Sequence, residues 1–188
     1  MAESGDSNAF KSIVISGLPA SGKTTLAANL AKHFGWKVYS LGGLWREKYA
    51  QQYPKGEISF AEFWSKTSIE DNRVMNTQAK VLFEAGSVIG DSRFTFYLDP
   101  SKCLLVLLQA DINIRVERAL SREEYKGMSE EEIKQNLERR EADEVKMGKE
   151  LFDKDFRDYK GYHIVLNSGL MTVEQELDAV LALFEAKG

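Results

Sequence analysis

The chain carries one cysteine, Cys103, and two histidines, which excludes an intramolecular disulfide and leaves too few sulfur and imidazole ligands for a zinc-type site. It has no excess of positive charge. Against 29 Asp and Glu stand 25 Lys and Arg, a formal net charge of −4, so a nucleic-acid backbone, bound by neutralising phosphates, is not expected as its main partner. Long apolar runs are missing too. The longest, Cys103 to Leu108, is far shorter than the roughly 20 residues that cross a bilayer, and Met1–Phe10 is polar with no apolar signal-peptide core. These absences predict a cytoplasmic protein with no membrane partner. What is present, 188 residues of 43% hydrophobic content with no internal repeat or linker, suffices for one sizeable core, and a single domain over residues 1–188 is expected.

The most specific feature lies near the start. Gly17-Leu18-Pro19-Ala20-Ser21-Gly22-Lys23-Thr24 matches G-x-x-x-x-G-K-[ST], between the apolar run Ile13-Val14-Ile15, which reads as a buried strand, and Thr24–Ala31, which reads as a helix. The glycines let the backbone wrap an anion so that successive N–H groups converge at the positive end of the following helix. A phosphate-binding P-loop for ATP is therefore predicted from Gly17, Ala20, Ser21, Gly22, Lys23, Thr24 and Thr25. Lys23 is placed to reach the β- and γ-phosphates, and the Thr24 hydroxyl to ligate Mg²⁺.

Strand and helix patterns alternate along the rest of the chain. Strands are predicted at Ser12–Ser16, Lys37–Ser40, Ser87–Gly90, Leu104–Leu108 and Ile164–Leu166; the last three are short, apolar and without the alternation of a half-solvated sheet, and are expected to be buried on both faces. Helices are predicted at Thr24–Phe34, Leu44–Tyr53, Ile69–Glu84, after Asp111 and Ser129, and from Thr172 to the end. Capping-box patterns open two of the segments, Ser59-x-x-Glu62 and Ser129-x-x-Glu132. The fold class expected is α/β, a P-loop NTPase fold: a five-stranded parallel sheet with helices on both faces, ligands at the carboxyl ends of the strands, and a short helical lid.

That lid is expected at about residues 115–149, where the charge-dense stretch Ser121–Lys149 taken alone reads as a solvated helical face. Arg115 and Arg118 share a helix face that Arg122 continues one turn later, and Arg139 and Arg140 return on the next helix. Arginines on a hinged segment suit phosphoryl transfer, where the protein's work is positioning and charge stabilisation. Asp91-Ser92-Arg93 follows the third strand. If that strand neighbours the first, Asp91 orients Mg²⁺ or its water and Arg93 touches a substrate phosphate.

Taken together, the P-loop, Ser40-Leu41-Gly42-Gly43-Leu44-Trp45-Arg46, Asp91-Ser92-Arg93, Arg115-x-x-Arg118-x-x-x-Arg122, Arg140-Glu141 and Tyr162-His163-Ile164-Val165-Leu166-Asn167 resemble a nucleoside monophosphate kinase of the cytidylate-kinase-like branch over roughly Lys11 to Leu183. The resemblance implies ATP-dependent phosphoryl transfer to a nucleoside monophosphate, CMP or dCMP foremost, with an acceptor-binding region at about 41–85. It implies that Arg46 and Arg93 hold the acceptor phosphate, that Lys23, Arg93, Arg118 and Arg122 act on the transferring group, that Arg140 contacts substrate, and that Thr24 and Asp91 hold Mg²⁺. Arg73, Asn76 and Gln78 are candidates for reading the base, and Trp45, Phe60, Phe63 and Trp64 either stack on it or pack the small helices. The chain departs from the family pattern in three ways: Gly43 stands where Asp is usual, Met147 near where another arginine is frequent, and Asn76 and Gln78 where an acid is frequent. The partners implied are small nucleotides, with a monomer or homodimer as the assembly. Alternatives are a P-loop kinase for another small metabolite or nucleotide, and a nucleotide-binding regulatory protein without turnover. Against a shikimate-type kinase stands Asp91-Ser92-Arg93 in place of a triple-glycine acceptor loop.

Overall fold

A computed structural model describes residues 9–186, so most of the polar stretch Met1–Phe10 lies outside the described residues. Five strands, β1 (Ser12–Gly17), β2 (Lys37–Ser40), β3 (Val88–Asp91), β4 (Cys103–Gln109) and β5 (Ile164–Asn167), form one sheet in the order β2-β3-β1-β4-β5, and every pair is parallel. The third strand does neighbour the first. Pairing of Ile15 with Asp91, of Ser40 with Asp91 and of Gly17 with Leu108 brings the carboxyl ends of four strands to one edge.

The helices are α1 (Lys23–Phe34), α2 (Leu41–Gln52), α3 (Phe60–Ser65), α4 (Ile69–Ala85), α5 (Ile112–Leu120), α6 (Glu130–Phe152) and α7 (Val173–Glu185). Side chains of a strand point alternately to its two faces, and β1 is buried on both. Ile13 and Ile15 pack in one cluster with Leu26 and Leu30 of α1 and Val180 of α7. Val14 packs in the other with Ala79 and Phe83 of α4 and Leu105 of β4. Each such aliphatic side chain contributes about 1.5–3 kcal/mol on burial. Gly90 lets the two layers meet, because a Cβ there would stand 3.0 Å from Val14 and 3.1 Å from Phe83.

Two smaller clusters sit above that edge. Trp45, Phe63 and Met75 bind α2, α3 and α4 together, and Val116, Ala119, Tyr125, Ile133 and Leu137 bind α5 to α6 while touching Ala20 of the P-loop. The stretch Ser121–Lys149 is thus more than a solvated face. α6 carries charge outward but buries Ile133, Leu137, Glu144 and Gly148, whose spacing of four, seven and four residues marks one helical stripe.

Several boundaries differ from expectation for local reasons. α2 begins at Leu41 rather than Leu44, because the Ser40 hydroxyl accepts the Gly43 N–H at 2.8 Å and caps the helix three residues early. A Cβ on residue 43 would lie 2.9 Å from that hydroxyl, which favours glycine at this position. β3 is shifted one residue toward Asp91, since Ser87 is left-handed, with φ of 56°. No helix among the described residues is long and apolar enough to cross a membrane.

Candidate active site

The P-loop is shaped by close approach and by unusual backbone. A Cβ on Gly17, at φ of 149°, would come within 2.1 Å of the Leu108 carbonyl oxygen, so glycine there lets β1 leave the sheet beside β4. Gly22, at φ of 100°, is the N-cap of α1. α1 starts at Lys23; the Thr25 N–H donates to the Gly22 carbonyl at 3.0 Å, while the Lys23 and Thr24 N–H groups before it have no carbonyl partner inside the helix, which makes its N-terminus an anion site. The Lys23 ammonium donates to the carbonyl oxygens of Gly17 (2.7 Å) and Leu18 (2.8 Å). Burial lowers its pKa to about 8, with Asp91 opposing the shift.

These atoms floor a cleft of about 410 Å³ at the carboxyl edge of the sheet. Ala20, Ser21, Gly22, Lys23 and Thr24 line it from the P-loop, Arg46 from α2, Asn76 from α4, Asp91 and Arg93 from the end of β3, Arg122 from the turn after α5, and Arg140 from α6. The loop after β3 is held in place by Ser16, whose hydroxyl donates to the Arg93 carbonyl at 2.6 Å. Arg140 donates to the Tyr125 hydroxyl at 2.8 Å, and Arg122 and Arg140 both pair with Glu124, at 3.8 and 3.3 Å. A second hollow of about 340 Å³ adjoins the first between α2, α3 and α6, where Trp45, Phe60, Trp64 and Met147 face Asp143 and Glu144.

Several of the residues singled out in the sequence are not among those lining the cleft. Gly17 and Thr25 belong to the P-loop's frame. Arg73 follows Asn72 by one residue, about 100° around the helix, so it faces solvent and lies 3.9 Å from Glu70 while Asn72 and Asn76 turn inward. Gln78 lines a separate groove between α2 and α4. Arg118 turns away: its guanidinium donates to the Ser168 hydroxyl at 2.9 Å, the Ser168 carbonyl at 2.7 Å and the Ser21 carbonyl at 3.2 Å, which corrects its expected place over the transferring phosphoryl group. Among the aromatics, Trp45 is 2% exposed and packs edge-on against Phe63 and Trp64. Packing is what these rings do here, although Trp45 and Trp64 also form cleft wall.

Other residues were not anticipated. Glu144 is 5% exposed and its Oε2 lies 2.6 Å from Arg93 Nε; burial pushes its carboxyl pKa up, and Arg93, Lys23 and Arg140 pull it down. Its sequence signal was a carboxylate on the apolar stripe of α6. Arg115, singled out in the sequence among the lid arginines, is instead buried, meets Glu141 at 2.9 Å and joins α5 to α6. For Mg²⁺, the Thr24 hydroxyl and the Asp91 carboxylate line the same cleft and are the hard oxygen donors this ion takes, few enough to leave positions for water and phosphate. The donor set fits.

The chain matches a family model described as the cytidylate kinase-like family over residues 12–170. It is 30% identical to a protein named cytidylate kinase from Methanopyrus kandleri, covering 92% of each chain, and 28% identical to a cytidylate kinase from Methanospirillum hungatei, covering 87% of this chain and 90% of that one. Among solved structures, a shikimate kinase from Bacteroides thetaiotaomicron superposes with a TM-score of 0.55 at 16% identity, covering 93% of this chain and 97% of that one, a likeness of fold alone.

Proposed function

The chain belongs to the cytidylate kinase-like family, and on that footing we propose that this P-loop phosphotransferase moves the γ-phosphoryl group of Mg²⁺-ATP to a nucleoside monophosphate, CMP or dCMP foremost. The observation that carries the reading is that one cleft is lined by two cationic sets, Lys23 with the N-terminus of α1 and Arg46 with Arg93, which we take as its donor and acceptor ends. A transfer between two phosphate-bearing substrates needs such a pair. A phosphohydrolase needs only the first.

The reaction asks little covalent work of the side chains. An oxygen of the acceptor phosphate, already anionic near neutral pH, attacks the γ-phosphorus in line, and the bond to the β-bridging oxygen breaks to release ADP. Arg46 and Arg93 hold the attacking phosphate, where a planar guanidinium matches two oxygens at once. Lys23 and the first-turn N–H groups of α1 hold the donor's phosphates, and Arg122 and Arg140 face the space between. Mg²⁺ held by Thr24 and Asp91 would neutralise charge on the phosphate oxygens.

Asn76 supports a base carrying an amino group. Its Nδ2 donates to the Asn72 carbonyl at 2.7 Å, so the amide cannot flip without setting two oxygens against each other. Its Oδ1, on a residue that lines the cleft and is 4% exposed, has no hydrogen-bond partner. A buried acceptor left unpaired costs about 1–3 kcal/mol, which a donor such as the cytosine 4-amino group recovers and the uracil 4-keto oxygen does not. Coupled ADP release against a panel of nucleoside monophosphates tests the proposal.

A further inference from the structure

We infer that Ser168 and Arg118 form a clamp that orients the phosphate-binding peptide of the P-loop, so that Ser168, far from the loop in sequence and outside the cleft, is a positioning residue for the donor's phosphates. The inference rests on the reading that the P-loop holds those phosphates.

The geometry converges on one carbonyl. Ser168 is 1% exposed, and its place in the loop after β5 is set by its N–H, which donates to the Gln109 carbonyl at 2.8 Å. Its hydroxyl donates to the Ser21 carbonyl at 2.7 Å, the shorter of its two carbonyl contacts, and accepts from Arg118 at 2.9 Å. Arg118 adds its own bond to the Ser21 carbonyl, at 3.2 Å, and grips the Ser168 carbonyl at 2.7 Å. Two donors from different elements therefore hold one oxygen of the P-loop.

That oxygen belongs to the peptide joining Ser21 to Gly22. No cis peptide is present among the described residues, and across a trans peptide the C=O and N–H point in opposite directions. Ser168 and Arg118 are not among the residues lining the cleft, whereas Gly22 is. Pulling the Ser21 carbonyl toward Ser168 accordingly turns the Gly22 N–H toward the cleft. The restraint matters because Gly22 has no side chain to steer it, and at φ of 100° it is free to take conformations closed to other residues. A peptide flip there would present a carbonyl oxygen to the phosphates.

The inference is tested by titrating magnesium tripolyphosphate, which has the donor's phosphates and no base, into wild type and Ser168→Ala, with ATP and acceptor kinetics on the same preparations. The expected result is a tripolyphosphate Kd raised roughly 10-fold or more, the loss of about one charge-facing hydrogen bond, with the ATP KM following it and the acceptor KM within about 2-fold of wild type. Ser168→Thr, which restores the hydroxyl, should recover the affinity, and Arg118→Lys, which keeps the charge but loses the fork, should not. The titrations are run well below the thermal midpoint of every variant, where unfolding does not dilute the binding-competent state; a merely structural role would there lower the midpoint and leave Kd unmoved. Wild type that binds tripolyphosphate no better than Ser168→Ala overturns the inference and leaves the proposed function standing. Wild type that binds neither tripolyphosphate nor ATP overturns the reading beneath it.

Discussion

Arg93 Nε lies 2.6 Å from Oε2 of Glu144, a carboxylate on α6 that is almost wholly buried. The two residues come from different elements, and the ion pair joins the end of β3 to the helix that carries Arg140. Glu144 also feels Lys23 and Arg140, so one carboxylate offsets several cations whose own task, in the proposed reaction, is to hold phosphates. In the absence of nucleotide it keeps them from repelling one another.

Glu144→Gln should therefore destabilise the free protein more than the nucleotide-bound one. Breaking a buried pair costs about 3–5 kcal/mol, and the partial exposure of Arg93 reduces this to about 1–3 kcal/mol, or a thermal midpoint roughly 2–10 °C lower for a chain of this size. Saturating ATP with CMP should recover part of the loss, since bound phosphates replace the missing charge. Scanning calorimetry with and without ligands reads both numbers, and an equal drop in the two states would contradict the offsetting role.

The pH dependence follows from Lys23. Burial lowers its pKa to about 8, so in the free protein the ammonium is lost as pH rises through that value. A bound phosphate favours the charged form, so the pKa climbs on binding and a proton is taken up between about pH 8 and 10. ATP affinity should be level below pH 7 and fall above about 8, with a binding enthalpy that varies with the buffer's ionisation enthalpy. Affinity unchanged to pH 10 would place Lys23 off the phosphates. Lys23→Ala should reduce turnover by about 10²–10³ at any pH.

The two ends of the cleft should separate kinetically. Arg46→Ala removes a charge-assisted contact of about 1.5–3 kcal/mol, so the KM for the acceptor should rise roughly 10- to 100-fold while that for ATP stays within about 2-fold. Arg122→Ala should act mainly on kcat. If Arg46→Ala raised the ATP KM and spared the acceptor, the assignment of the ends would be reversed.

Base choice has its own readout in Asn76. Wild type should prefer CMP to UMP by roughly 10- to 100-fold in kcat/KM, the worth of a donor for one buried acceptor. Asn76→Ala should collapse the ratio by lowering the CMP value and sparing the UMP value. A ratio measured on one preparation is independent of how much of it is folded. Equal losses for both substrates would make Asn76 a packing residue.

Features that depend on neighbouring residues in the chain were readable from the sequence. The P-loop needed only its own eight residues and the apolar run before it, and β1 and β4 announced themselves as unbroken aliphatic runs; β5 was read the same way, but it is an edge strand and leaves Val165 exposed. What escaped reading depends on phase or on distance in the chain. Arg73 and Asn76 are both polar residues of α4, and only the helical phase, fixed by burial of Met75 and Ala79, turns one inward and the other to solvent. Arg118 was read as reaching the transferring phosphoryl group, and its partner Ser168, which holds it elsewhere, lies 50 residues away in a loop with no motif of its own. Glu144 was hidden among the charges of α6, although its place on the stripe of Ile133, Leu137 and Gly148 marks a buried position. Gly43 read as a departure from the family, and its reason, contact with the Ser40 cap, appears only once α2 is seen to begin at Leu41.

The central claim is that the two cationic ends of one cleft serve two phosphate-bearing substrates. It is tested most directly by coupled ADP release from Mg²⁺-ATP in the presence of CMP, dCMP, UMP, AMP and GMP in turn, with ATP alone as the blank. The account predicts negligible release from ATP alone, turnover when a nucleoside monophosphate is added, and the highest kcat/KM with CMP or dCMP. Protein that binds ATP yet releases no ADP with any of the five acceptors would contradict it.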